Sequence, residues 1–291
     1  MRPQNLDSYW DNVDAELAAL PAQPVLEELA LRSNEYSTVY ALRLTSTGPY
    51  RIVGYLCVPT GDGPFPALLQ TPRYGSVNHI PDYNDRLRYV CLQIMHRGQR
   101  LADQPYAARY PGLLTDGIDD PDEYVYRGIA ADCLRGAEYL LSRADVDPAR
   151  AAVQGDDLAL ITAARRTGFS LVNAAGLTFY QLNERRAATT AYPVEEVNEY
   201  CRAYPEQVDD VEMTLALFDP THHATAIACD VVFAAAGDES RYAPLANALG
   251  DHYQPYQLTN RGGTDHDAVD RLVAERMDVA PMSRFIRTFD R

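Results

Sequence analysis

Apolar residues along this chain fall into two kinds of pattern. Short runs without alternation occur at Phe65–Gln70, Tyr89–Met95, Ala151–Gln154, Leu171–Ala175 and Asp230–Ala236. Runs of this length suit strands buried on both faces, as in a parallel sheet. Between them lie stretches with apolar residues at helical spacing. The clearest is Asp122–Ser142, where Ile129, Cys133, Leu134, Ala137, Leu140 and Leu141 follow a Pro-Asp start signal. Leu158–Arg166, Tyr242–Leu249 and Ala268–Met277 are shorter helical candidates. Val39–Thr45 and Arg51–Val58 read as partly alternating strands with a Ser-Thr-Gly-Pro turn between them, and Tyr253–Asn260 as a late strand. Strands alternating with helices predict the α/β class, a doubly wound, mostly parallel sheet.

Two stretches depart from that alternation. Residues 1–37 read as an N-terminal helical extension, with an amphipathic helix over Asp7–Leu20 and a proline-broken link after it. The polar stretch from about 178 to 220, rich in Tyr, Glu and Arg, reads as a helical insertion or lid over the carboxyl edge of the sheet. The length of 291 residues accommodates both within one domain spanning 1–291.

Composition narrows the partners. Hydrophobic residues at 46% and charged residues at 23% belong to a packed globular protein. No stretch approaches the roughly 20 apolar residues of a membrane span. Acidic residues stand where a signal peptide carries its apolar core, so a soluble, cytoplasmic protein is expected. The net charge of -15 disfavours nucleic acid and anionic membrane and leaves a small-molecule substrate as the expected partner. All 26 basic residues are arginine. The five cysteines, Cys57, Cys91, Cys133, Cys201 and Cys229, lack metal spacing and read as free buried thiols, and no metal or cofactor is called for.

The chemistry concentrates at residues 151–166, AAVQGDDLALITAARR. The segment reads strand, Gly155-Asp156-Asp157-Leu158-Ala159, helix. In an α/β-hydrolase this junction is the nucleophile elbow, G-x-S-x-G, whose sharp turn needs small residues on either side of the nucleophile. Gly155 and Ala159 meet that need, but Asp157 stands where a serine is expected. The Leu158 amide is expected at the oxyanion. In chain order, Asp238 after a strand end and His266 in a loop before the last helix complete an Asp157–Asp238–His266 constellation.

Several local motifs together resemble the acetyl xylan esterase and cephalosporin C deacetylase family. They are Arg97-Gly98-Gln99, Phe65-Pro66-Ala67 running to Tyr74-Gly75, Gly117-Ile118 with Tyr124-Val125-Tyr126-Arg127, Asp147-Pro148, and Thr214-Leu215 with Phe218-Asp219. They run in order from about residue 5 to the end of the chain. The resemblance implies an α/β-hydrolase fold and a hydrolase of small esters. It also implies Tyr74 as the second oxyanion amide, Asp238 and His266 as acid and base, and a ring-like homohexamer. Departures fall at the site: Asp157-Leu158 replaces the family's Ser-Gln, Pro72-Arg73 its His-Gly, and His266-Asp267 its His-Glu.

Three chemistries are open for Asp157. It attacks alkyl carbon, as in haloalkane dehalogenases and epoxide hydrolases; it or Asp156 activates water as a general base; or it is the relic of an inactive member that binds or assembles. Trp10 is the only tryptophan, so no tryptophan halide clamp is evident. A divalent ion on Asp157, Asp238 and His266 is a minor fourth reading. Arg73 is expected to neutralise Asp157 or to bind a substrate anion, Tyr180 among the lid tyrosines to line the pocket, Arg97 to anchor a loop, and His222-His223 to lie at the surface or a helix start.

Overall fold

The computed structural model describes residues 2–48, 50–74, 79–97 and 111–283. In chain order its elements are α1 (Leu6–Ala19), β1 (Val25–Glu28), β2 (Ser37–Thr45), β3 (Arg51–Pro59), β4 (Phe65–Gln70), α2 (Tyr83–Arg86), β5 (Val90–Ile94), α3 (Val125–Leu141) and β6 (Val146–Gly155). Then come α4 (Asp157–Arg165), β7 (Leu171–Ala175), α5 (Leu182–Arg185), α6 (Val194–Ala203), α7 (Val208–Ala216), β8 (Asp230–Ala235), α8 (Ala243–Leu249), β9 (Tyr253–Gln257) and α9 (Gly262–Arg276). The nine strands form one sheet in the order β1-β2-β3-β5-β4-β6-β7-β8-β9. The first three strands join antiparallel, and the run from β5 to β9 is parallel.

Successive residues of the central strands point to opposite faces, which is why their apolar runs show no alternation. Leu69, Val153, Val172 and Val231 pack with Ala137 and Leu140 of α3, Leu160 of α4 and Leu245 of α8. Leu68, Cys91, Ala152, Leu171 and Val232 pack on the other face with Val273 and with Met277 just past α9. The opposite side of α3, through Ile129, Cys133 and Leu134, meets α1 and the insertion.

The amphipathic stripe of α1 is Leu6, Tyr9, Trp10, Val13 and Leu17, all buried. Trp10 Nε1 donates to the Leu217 carbonyl at 3.1 Å, and its ring meets Phe218 and His223 edge-on. At the other end of α1, Arg135 donates to the carbonyls of Leu17 and Leu20 at 2.6 and 2.8 Å, filling acceptors that a helix terminus leaves open.

Three expectations change. The N-terminal 37 residues hold β1 as well as a helix. This strand escapes pattern reading because all four of its residues are exposed. The last helix starts at Gly262, not Ala268, so the Gly-Gly-Thr-Asp-His-Asp segment is helical where a loop was expected. Of the two places expected for His223 it takes the helix start, heading the short 3-10 turn Ala224–Ala226, and not the surface: it is buried, with Nε2 at 2.9 Å from the Leu217 carbonyl. Among the described residues no helix is long and apolar enough to cross a membrane.

Because Trp10 is 1% exposed and anchors α1 to the insertion, Trp10→Ala is expected to cost about 3–5 kcal/mol. Urea unfolding followed by circular dichroism checks this, and a loss below about 1 kcal/mol would show that α1 is not integral to the fold.

Candidate active site

The end of β6 comes so close to β4 that a Cβ on Gly155 would lie 1.9 Å from Thr71 Oγ1. Only glycine fits there. The next turn is an ordinary capped helix start, not a strained elbow. Asp156 is the N-cap of α4, and its Oδ1 accepts from the Leu158 amide at 3.1 Å. Asp157 is the first helical residue and is absent from the non-glycine positions with positive φ, which are Gln23, Gln181, Asn260 and Asp278. Asp157 is 0% exposed, and its carboxylate faces the loop after β7. Oδ2 accepts from the Thr178 amide at 2.6 Å and Oδ1 from the Tyr180 amide at 3.1 Å. The Leu158 amide expected at the oxyanion is thus engaged by a side chain of its own turn.

Burial raises the pKa of both carboxyls, since the charged forms lose hydration. Asp157 also feels the charge of Asp156 and is pushed up to about 8. For Asp156 the Leu158 amide and Arg73 oppose burial, leaving it at about 6. The positive end of α4 favours both anions but does not cancel the cost of burial.

Beyond the strand ends lies a cavity of about 740 Å³. Arg73, Gly155, Asn260 and His266 are among the residues that line it, and Asp156 and Asp157 are not. His266 sits on α9 with Gly262, Asp265, Val269, Asp270 and Val273, one helical face turned to the cavity. Its Nδ1 is 3.9 Å from Asp267 Oδ1. On the cavity floor, Gln93, Gln70, Gln154 and Asn173 stand in register on four neighbouring strands, β5, β4, β6 and β7.

The structure brings Arg73 and His266 to one cavity and leaves the other expected site residues outside its lining. Asp238 is exposed and caps the turn after β8, accepting from the Ser240 amide at 2.9 Å. It orients its own turn, not His266. Tyr180 is buried, and its hydroxyl donates to the Arg241 carbonyl at 2.7 Å, so its side chain serves the fold. Arg73 has its guanidinium 3.5 Å from the Gly155 carbonyl and acts on Asp156 more than on Asp157. The Tyr74 hydroxyl donates to Glu196 of α6, whose Oε2 accepts from the Leu114 amide at 2.9 Å. His96 Nε2 lies 2.8 Å from the Arg73 carbonyl and steadies the same loop. Arg97 anchors its segment through two 2.8 Å bonds to buried Asp132 and a stack on Tyr50. Gly75, Gly98 and Gln99, which carry part of the resemblance, lie outside the described residues.

Sequence reading missed the capping role of Asp156, the tie made by Glu196 and the floor of carboxamides. For the last a signal was present. ALLQ, CLQI, AVQG and LVNA each place one amide in an apolar strand.

A mostly parallel sheet wrapped by helices on both faces, with a helix turning in at the end of β6 and a cavity at the strand ends, is the architecture of an α/β-hydrolase. The chain belongs to the acetyl xylan esterase family: the family model described as Acetyl xylan esterase (AXE1) matches residues 1–247. The acetyl esterase Axe7A of Xylanibacter ruminicola is 27% identical over 182 residues, 55% of this chain and 40% of that protein. The match therefore spans about two fifths of the length of that curated relative. Among solved structures, the acetyl xylan esterase of Paenibacillus sp. R4 superposes with a TM-score of 0.83 at 24% identity, covering 94% of this chain and 95% of that one. Acetyl Xylan Esterase 1 from a Thermoanaerobacterium species gives a TM-score of 0.78 at 19% identity, covering 94% of each chain.

A carboxyl whose folded pKa is raised favours the protonated protein, so the charge penalty of its burial is absent at low pH. The cost grows as pH rises from the unfolded value near 4 to the folded value of about 8. Urea unfolding across that window is expected to show stability falling with pH more steeply in the native protein than in Asp157→Asn, by a few kcal/mol. Equal slopes would mean that Asp157 is not held in this environment.

Proposed function

We propose that this protein hydrolyses a small ester by direct attack of water in the strand-end cavity, with no covalent intermediate on Asp157. His266 acts as general base and Arg73 draws the developing charge on the carbonyl oxygen. The observation that carries this reading is that Arg73, Gly155 and His266 line one cavity while Asp157 is sealed outside it. Water adds to the carbonyl carbon as its proton passes to the imidazole. Collapse of the tetrahedral adduct expels the alcohol, which takes that proton and leaves the acid. The names of the relatives, an acetyl esterase and acetyl xylan esterases, favour an acetyl ester.

With the Leu158 amide engaged by Asp156, turnover is expected to fall below that of serine esterases by at least about 10²–10³-fold, the usual worth of one oxyanion donor. The same bond favours a second reading, in which the cavity binds its ligand without turnover.

Hydrolysis of p-nitrophenyl acetate by the native protein, His266→Gln and Asp157→Asn separates the two. Water attack predicts a roughly 10²-fold loss in His266→Gln, a retained rate in Asp157→Asn, and heavy oxygen from labelled water in the acetate but not in the protein. A native rate no higher than that of His266→Gln would leave only the binding reading.

A further inference from the structure

His266 is the base of the water-attack reading, and a carboxylate other than Asp238 stands beside it. Its Nδ1 lies 3.9 Å from Oδ1 of Asp267 on the same helix. That nitrogen is buried, although the side chain as a whole is 36% exposed. Adjacent residues of a helix do not face each other, so a contact of this kind has to be held from outside the helix. Ser283 holds it. Its hydroxyl donates to Asp267 Oδ2, which leaves Oδ1 for the imidazole. Ser283 is fixed in turn: its carbonyl accepts from Asn84 Nδ2 of α2 at 2.9 Å, and the neighbouring Met282 amide donates to Asp270 Oδ2 at 2.8 Å. The chain beyond α9 thus runs back along the helix and sets the direction of one carboxylate.

Other titratable groups line the cavity with His266. Asp265 is spent on its own end of the helix, accepting from the amides of Thr259 and Arg261 and from the hydroxyls of Thr259 and Tyr256. Asp85 and Asp270 share the guanidinium of Arg88, at 3.2 and 2.6 Å. Tyr89 stays neutral, its hydroxyl pushed up by burial. Arg73, His79 and Asp82 come from the chain before α2. Asp238, the acid expected from chain order, is exposed and caps its own turn.

We infer that Asp267 takes the part expected of Asp238. It is a positioning residue that orients the His266 imidazole through Nδ1 and stabilises the imidazolium formed when His266 takes the proton of the attacking water. The other ring nitrogen, Nε2, then works on the water. A full bond between ring and carboxylate asks for a shift of about 1 Å from the resting contact, of the kind that catalytic hydrogen bonds make when substrate binds. The attraction also grows at that moment, because the ring becomes charged. The role in turnover rests on the water-attack reading, whereas the coupling of ring and carboxylate can be measured without it.

Two measurements test it. The His266 imidazole is titrated by NMR, with no ester present, in the native protein and in Asp267→Asn, its resonance assigned by its loss in His266→Gln. The midpoint is expected to fall by about one pH unit in Asp267→Asn, because removing a carboxylate disfavours the charged ring. In turnover of p-nitrophenyl acetate, Asp267→Asn is expected to lose about tenfold in kcat with KM within about twofold, and the rising limb of its pH profile to move to lower pH. Ser283→Ala is expected to show both effects in smaller measure, and Asp238→Asn neither. An unmoved midpoint in Asp267→Asn, folded by circular dichroism, would overturn the inference and leave water attack standing. A loss of kcat in Asp238→Asn as large as in Asp267→Asn would overturn it too. If His266→Gln keeps the native rate, the water-attack reading fails, and the role of Asp267 in turnover fails with it.

Discussion

A carboxyl group sealed from water has to be solvated by the protein around it. Asp157 meets that demand with two backbone amides, Thr178 and Tyr180, both from the loop that follows β7. The bonds tie the start of α4 to the root of the helical insertion and fix the side chain away from the cavity. A serine hydroxyl in the same place would accept less strongly and would be free to rotate. The aspartate is better described as a brace between two strand ends than as a reagent. The capping of Leu158 by Asp156 follows the same logic, because two adjacent acids at a helix start are most stable where backbone N–H groups meet them.

Most of the architecture was legible because its causes are local. Doubly buried strands show as short apolar runs, and Phe65–Gln70 and Leu171–Ala175 end where the pattern ends. The edge strand Val25–Glu28 was hidden, since no face of it is buried and no periodicity marks it. The start of α9 was hidden because glycines open it. Two glycines are poor helix formers, and here Asp265 compensates by accepting from the amides of Thr259 and Arg261 at 3.0 and 2.9 Å.

The site was legible in its parts but not in its assembly. Arg73 and His266 were singled out by motif position, and they do meet at one cavity. Asp238 was chosen for standing just past a strand, and such a position is also where a turn needs a cap. Chain order says nothing of which of these a carboxylate will do. Side-chain direction at 156 and 157 was equally out of reach, because it depends on amides about 20 residues further on.

The placement of Trp10 has a consequence for spectroscopy. The only indole of the chain lies among α1, Phe218 and His223, on the side of the sheet where α3 packs. The cavity floor, between the sheet and α9, belongs to the other side. Tryptophan fluorescence of this protein, excited selectively, therefore reports on the clasp of the N-terminal helix and is blind to simple filling of the cavity. A change of indole emission on filling of that cavity is a signal that has crossed the sheet.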